Sequence, residues 1–249
     1  QYLVEAFLRI PTGTAMPSVT TLYRRTPDWR SAAVIGISQS GESTDVIDVL
    51  KQAKQMGALT AGITNVRNST LAKTADFMLY CHAGKEKSIA ATKTYTATQG
   101  VLYLLASLIA NRPQLLSDLK DAAGAIRSVF EIEGQIEGIV ERYRYMQECM
   151  VIARGLNHAT CQEAALKLAE TCYVVAKPYS GADFLHGPIA SIYEGFPVFL
   201  YAAPGHAYQP MLELVEKLED DKAEMVIIST EDEILGRATT AIKLPVEVD

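Results

Sequence analysis

No run of Lys and Arg stands out in this chain, and the formal net charge is -6. Proteins that track nucleic-acid phosphates neutralise them with clustered cations, so that class is excluded. A bilayer-crossing stretch is missing too. The longest apolar segment, Gly100 to Ala110, is about half as long as a membrane-spanning helix. No charged-then-apolar leader with a cleavage site precedes the first predicted strand, and a soluble, cytoplasmic protein is expected, with no membrane partner. The four cysteines, Cys81, Cys149, Cys161 and Cys172, have no CxxC or Cys/His ligand spacing. Three of them fall in apolar or helical context, which predicts buried free thiols and fits a reducing compartment. No two histidines are closely spaced and no carboxylate cluster accompanies them, so no metal site is expected. Low-complexity linkers are absent as well.

What is present is apolar content of 49% in 249 residues, enough for one large or two modest cores, with domain-size priors favouring two. Short β-rich runs bounded by turn formers predict strands at 32–37, 58–63, 77–82, 150–155, 197–202, 224–229 and 240–245. Helical patterns lie between them. Val46, Ile47, Val49, Leu50, Ala53 and Met56 make one apolar face of a helix ending at Gly57, and Ile89 to Ala110 reads as a long buried helix. Strands alternating with helices imply an α/β protein with parallel sheets.

The strands also match one another at an offset of roughly 165 residues: 32–37 with 197–202, 58–63 with 224–229, and 77–82 with 240–245. Two copies of one α/β unit are therefore predicted. The first spans 1–112, a helical connector covers 113–147, and the second spans 148–249. On this reading the first copy lacks its opening strand, expected before Gln1, and the second lacks its last helix.

Ser38-Gln39-Ser40-Gly41-Glu42-Ser43-Thr44 sits between a predicted strand and a predicted helix. The first amides of a helix have no intrahelical acceptor and lie at the positive end of its dipole, so such a turn can hold a phosphate without a cation. Gly41 permits a sharp turn and close approach. The plainer alternative is that Ser43 or Thr44 simply caps the helix. Four hydroxyls and a Gln in seven residues exceed what capping needs.

A second cluster follows the strand near 150. Glu163, Lys167 and Glu170 fall on one face of a helix at spacings of four and three. Ala164, Ala165, Leu166, Leu168, Ala169 and Cys172 surround them, which predicts charges on a largely buried helix that need partners. The stretch Lys177 to Pro188 reads as a loop carrying His186, either a turn residue or a proton carrier.

Ile37 to Thr44, Ala83 to Lys93, Glu163 to Glu170 and Phe184 to Pro188 together resemble the SIS (sugar isomerase) family. The likeness is to the two-copy isomerase module of glucosamine-6-phosphate synthases and to stand-alone glucosamine-6-phosphate deaminases. The resemblance implies two tandem flavodoxin-like α/β/α domains, truncated at their outer ends. It implies that Ser38, Gln39, Ser40 and Ser43 bind the phosphate of a hexose or amino-hexose phosphate, with backbone near Ile89 and Ala91 lining the sugar. Glu170 would match the general base that moves a proton between C1 and C2, Lys167 a lysine assisting at the sugar hydroxyls, and His186 the ring-opening residue. In the family that histidine is lent by a neighbouring subunit, which implies a homodimer. No cofactor is implied. Ala91 replaces a sugar-contacting serine and Asp183 stands where a glutamate is usual. The companion phosphate turn and the C-terminal lysine tail are expected outside these residues, and a glutaminase domain has no match within them.

The leading expectation is a deaminase converting glucosamine 6-phosphate to fructose 6-phosphate and ammonia. Its rivals are a fructosamine-6-phosphate deglycase, the isomerase domain of a glutamine-fructose-6-phosphate aminotransferase, and a non-catalytic sugar-phosphate-binding regulator.

Overall fold

Parallel strands joined by helical crossovers dominate the computed structural model, which describes residues 1–246. The chain forms two compact units, Gln1–Leu119 and Lys120–Asp249. Unit 1 opens with a π-helical turn at Val4–Leu8 and the short helix α1 (Pro17–Thr21). It continues as β1 (Ala33–Ile37), α2 (Thr44–Gln55), β2 (Leu59–Thr64), α3 (Thr70–Thr74), β3 (Phe77–Tyr80) and α4 (Lys93–Ile109). The three strands form one parallel sheet in the order β1-β2-β3, with Ile37 beside Ile63 and Thr64 beside Tyr80.

The apolar stripe on α2 behaves as its spacing predicts. Ile47, Val49, Leu50 and Ala53 are buried, and Ile47 and Leu50 pack on Leu71 of α3 with Val34, Val46 and Ala75 at the margin. Burying one such face is what keeps α2 helical, since isolated helices of this length are marginal in water. The long helix starts later than its composition suggests. Ser88 to Thr92 are irregular, Ile89 is fully exposed, and α4 begins at Lys93.

The predicted connector is helical: α5 (Gln114–Ser128), a 3-10 turn at Val129–Ile132, α6 (Glu133–Val140) and a second 3-10 turn at Glu141–Tyr143. The boundary between the units falls inside α5. Within unit 2, the end of this segment is fastened to residues Glu224 and Thr240. Arg142 donates to both oxygens of Glu224 at 2.6 and 2.9 Å, while the Tyr143 hydroxyl meets Glu224 at 3.0 Å and Thr240 at 2.5 Å. The Arg142 guanidinium, ahead of the Tyr143 hydroxyl, holds the Glu224 carboxyl below its usual range despite partial burial.

Unit 2 contains β4 (Glu148–Ala153), α7 (His158–Cys172), β5 (Val175–Ser180), α8 (Gly181–Leu185), β6 (Pro197–Ala202), α9 (Tyr208–Asp220), β7 (Glu224–Ser229), α10 (Asp232–Leu235) and β8 (Thr240–Lys243). Its sheet is parallel throughout, in the order β5-β4-β6-β7-β8. Alternation along β4 divides the core between two faces. Met150 and Ile152 join Phe184, Leu200, Leu214 and Ile227 on one side, and Cys149, Val151 and Ala153 join Cys161, Ala165 and Val174 on the other. Both faces are covered, as parallel sheets require.

The internal repeat holds in three dimensions. First residues of β1 and β6, β2 and β7, and β3 and β8 (33 and 197, 59 and 224, 77 and 240) are separated by 164, 165 and 163 residues. The strand order within each trio is also the same. One strand was not anticipated: Val175–Ser180, four of its six residues placed in the loop from Lys177 to Pro188, is β5, and α8 follows at once. Pro178 is tolerated because β5 lies at the sheet edge and pairs only with β4.

Candidate functional site

In a parallel α/β sheet, ligands bind beyond the carboxyl ends of the strands, where the loops into the following helices converge. In unit 1 that edge carries the turn 38–44 after β1, residues 65–69 after β2 and the loop 81–92 after β3. The first turn is fixed by Gly41, whose φ of 69° lies in the left-handed region. A Cβ at this position would stand 2.2 Å from Ser69 Oγ, so no other residue fits without displacing Ser69. The Gly41 N–H donates to Ser38 Oγ at 3.1 Å and the Glu42 N–H to Ser40 Oγ at 3.2 Å. Gln39, Ser40 and Ser43 are exposed and Ser38 is half-buried.

Ser43 occupies the N-cap of α2 but makes no side-chain capping bond. The plain capping role for Ser43 is therefore not what the geometry shows, and no side chain of that residue closes off the first-turn amides. Glu42, an acid in a turn read as an anion cradle, faces away toward α3. The N–H and Oγ1 of Thr70 donate to its two oxygens at 2.8 and 2.6 Å. Those bonds hold its carboxyl below the usual range.

Ile89 and Ala91 lie in the loop after β3, on the same edge of the same sheet. Its base is tied down by Asn65: the Ala83 N–H donates to Asn65 Oδ1 at 2.9 Å, and Asn65 Nδ2 donates to the Gly84 carbonyl at 2.6 Å. Lys93 Nζ donates to the Lys85 carbonyl at 2.6 Å, and Thr94 Oγ1 to Glu86 at 3.0 Å. Asn65 and Thr70, which tie down the loop and the turn, were not singled out from the sequence. Asn65 could have been found by its place, the first residue past a parallel strand's carboxyl end.

In unit 2, Lys167 reaches both of its predicted neighbours. Its ammonium bonds directly to Glu170 and stands 3.5 Å from Glu163. The Glu170 carboxylate, with Glu163 contributing, raises the Lys167 pKa, so it stays charged. The burial expected of this helix is not observed. Only Cys161 and Ala165 of α7 are buried, and Leu166 is 48% exposed. The three charges lie on a half-open face, where the cost of desolvation is small.

His186 follows α8, its N–H bonded to the Asp183 carbonyl at 3.1 Å and its side chain exposed. No hydrogen bond or ion pair joins it to Glu170 or Lys167 among the described residues. The topology explains this. Glu170 precedes the start of β5 and His186 follows its end, so the six-residue strand separates them by roughly 20 Å. Two thiols are buried where three were expected: Cys149 is pushed up to about 12 and Cys161 to about 11, chiefly by desolvation, while Cys81 is half-buried and Cys172 exposed. Among the described residues, no three His, Cys, Asp or Glu side chains gather as a metal site, and no helix is long and apolar enough to cross a membrane.

The model of the SIS domain matches residues 30–108 and 147–248, which take in β1 through most of α4 and the whole second sheet. The chain belongs to the SIS domain family. It is 33% identical over 248 residues to glutamine-fructose-6-phosphate aminotransferase (isomerizing) of Aquifex aeolicus, covering 98% of this chain and 42% of that protein. The SIS chain thus spans less than half the length of the curated relative it matches. Among solved structures, the C-terminal domain of glucosamine-fructose-6-phosphate aminotransferase from Francisella tularensis shares the fold with a TM-score of 0.90 at 22% identity, over 98% of this chain and 72% of that one. Glucosamine-6-phosphate deaminase from Thermotoga maritima does so with a TM-score of 0.75 at 23% identity, over 91% and 69%.

Proposed function

We propose that this SIS protein is a sugar-phosphate isomerase acting on an amino-hexose 6-phosphate, converting glucosamine 6-phosphate to fructose 6-phosphate and ammonia. The observation that carries the reading is the turn at 38–44, with its glycine-set backbone, the exposed side chains of Gln39, Ser40 and Ser43, and a helix whose N-cap side chain leaves the amides free. These supply donors for the three oxygens of a phosphoryl group.

In unit 2, Glu170 is the proton carrier. It takes the proton from C2 and returns it to C1, and Lys167, kept as an ammonium by its carboxylate neighbours, stabilises negative charge developing on the sugar oxygens. With nitrogen on C2, this transfer leaves an imine there. Water then replaces the nitrogen, giving the 2-ketose and ammonia. His186, on the far side of β5 from Glu170, opens the sugar ring in a neighbouring copy, so the working form is a homodimer.

The test is to incubate the protein with glucosamine 6-phosphate and measure ammonia and fructose 6-phosphate. Stoichiometric release of both supports the reading. A second reading, the isomerase part of an aminotransferase, is favoured by the match to the aminotransferase of Aquifex aeolicus along almost the whole chain. It predicts interconversion of the 2-ketose and aldose phosphates with no ammonia released. Phosphate binding without any turnover would sink both and leave a regulator.

A further inference from the structure

The three loops at the carboxyl edge of the unit 1 sheet are not independent. The Gln39 carbonyl, inside the turn 38–44, accepts from Thr64 Oγ1 and from the Asn65 N–H, each at 3.1 Å. The Asn65 side chain then clasps the loop after β3, accepting from the Ala83 N–H and donating to the Gly84 carbonyl. Gly84 itself sits at a φ of 71°, in the left-handed region that favours glycine. One residue therefore bonds the turn through its backbone and the loop through its side chain. Beyond that clasp, residues 87–92 carry no regular structure, and Ile89 projects fully into solvent.

We infer that Asn65 is a positioning residue for the reaction, fixing the sugar-facing loop 83–92 in register with the phosphate turn 38–44. The inference rests on the proposed phosphosugar reading for its chemistry, and its geometry stands on the hydrogen bonds alone. A reacting sugar anchored at its phosphate must present C1 and C2 at a set distance from that anchor, and errors of about 1 Å in such placement cost on the order of a hundredfold in rate. Asn is suited to the task because its amide offers a donor and an acceptor together, matching one backbone N–H and one carbonyl. The turn does not depend on that side chain. Its contact with Asn65 is made by the backbone N–H, which any replacement but proline keeps.

The test compares Asn65→Ala, Asn65→Asp and the unaltered protein for steady-state turnover of glucosamine 6-phosphate, binding of inorganic phosphate and amide hydrogen exchange. Asn65→Ala should bind inorganic phosphate within about twofold of the unaltered protein while kcat falls at least tenfold. Amides of residues 83–92 should exchange faster and those of 38–44 unchanged. Asn65→Asp, which keeps the acceptor for Ala83 N–H but loses the donor to Gly84, should recover part of kcat. An unchanged kcat in Asn65→Ala overturns the inference. So does a parallel loss of phosphate binding and kcat, which would make Asn65 a general support of the turn. If the unaltered protein turns over no sugar phosphate, the functional reading fails by itself, and unchanged exchange at 83–92 in Asn65→Ala would then overturn the inference separately.

Discussion

Replacing Gly41 with alanine tests whether the turn at 38–44 is as tightly built as its geometry shows. Two costs arise. A non-glycine residue in the left-handed region costs about 1 to 2 kcal/mol. The new Cβ would also lie 2.2 Å from Ser69 Oγ and 2.9 Å from Thr64 Oγ1. Ser69 is 1% exposed and caps α3, its Oγ accepting from the Ala72 N–H at 3.3 Å, so it has little room to yield. Overpacking of that kind costs about 1 to 3 kcal/mol and a lost cap about 1 kcal/mol more. Gly84→Ala is the control. Its φ of 71° is nearly the same, but nothing lies within 4 Å of a Cβ there, so it carries the backbone cost alone. Gly41→Ala should therefore be less stable than Gly84→Ala by about 2 to 4 kcal/mol. The assay is urea denaturation followed by tryptophan fluorescence, since the single tryptophan, Trp29, lies in unit 1 and reports that unit. At a typical dependence of about 2 kcal/mol per M, the two midpoints should differ by about 1 to 2 M. Midpoints agreeing within about 0.3 M, or about 0.6 kcal/mol, would refute the close fit against Ser69.

Glu170→Gln should lower turnover by about a hundredfold to ten-thousandfold without changing phosphate binding, and mixing it with His186→Ala should restore activity in hybrid dimers; no restoration would place both groups in one copy's service. Asp76 is bonded by Lys54 at 2.7 Å and by the Thr60 hydroxyl at 2.6 Å, with Lys54 foremost in drawing its carboxyl from 3.8 down to about 2. A lowered carboxyl stabilises the fold at pH above 3.8 and loses that contribution as pH falls toward 2, so the unit 1 denaturation midpoint of Asp76→Asn should vary less over that range than the parent's. Exposed Cys172 should react with iodoacetamide in the native protein, whereas Cys149 and Cys161, buried and held as thiols by desolvation, should react only after unfolding, as peptide mass mapping will show.

Of the eight strands among the described residues, seven were legible because each is a short apolar, β-rich run bounded by turn formers, and the duplicated spacing tied six of them into two matching trios. The eighth, β5, hid for a physical reason. It has no continuous apolar run, and Lys177-Pro178-Tyr179-Ser180 has the composition of a turn. The opposite error occurred at Ile89-Ala90-Ala91, where apolar character suggested helix and the backbone is irregular with Ile89 in solvent. On α7 the same bias turned a half-exposed face into a buried one, because composition does not say which side of a helix meets a sheet. The turn at 38–44 and the Glu163-Lys167-Glu170 face were read from residue type and spacing. Asn65 was not, since its importance lies in two backbone groups 18 and 19 residues onward.

Ser43 leaves the head of α2 without a side-chain cap. A helix entered through a serine that does not cap it keeps a defect that folding alone leaves unrepaired, worth about 1 kcal/mol by the usual measure of a missing cap. A phosphoryl group seated on the turn would act as the absent cap, so the ligand would complete the helix as well as occupy it. The fold and its occupant would then share one free energy: what tightens the grip on the anion would also stiffen α2, and the unit would be at its most stable only when loaded.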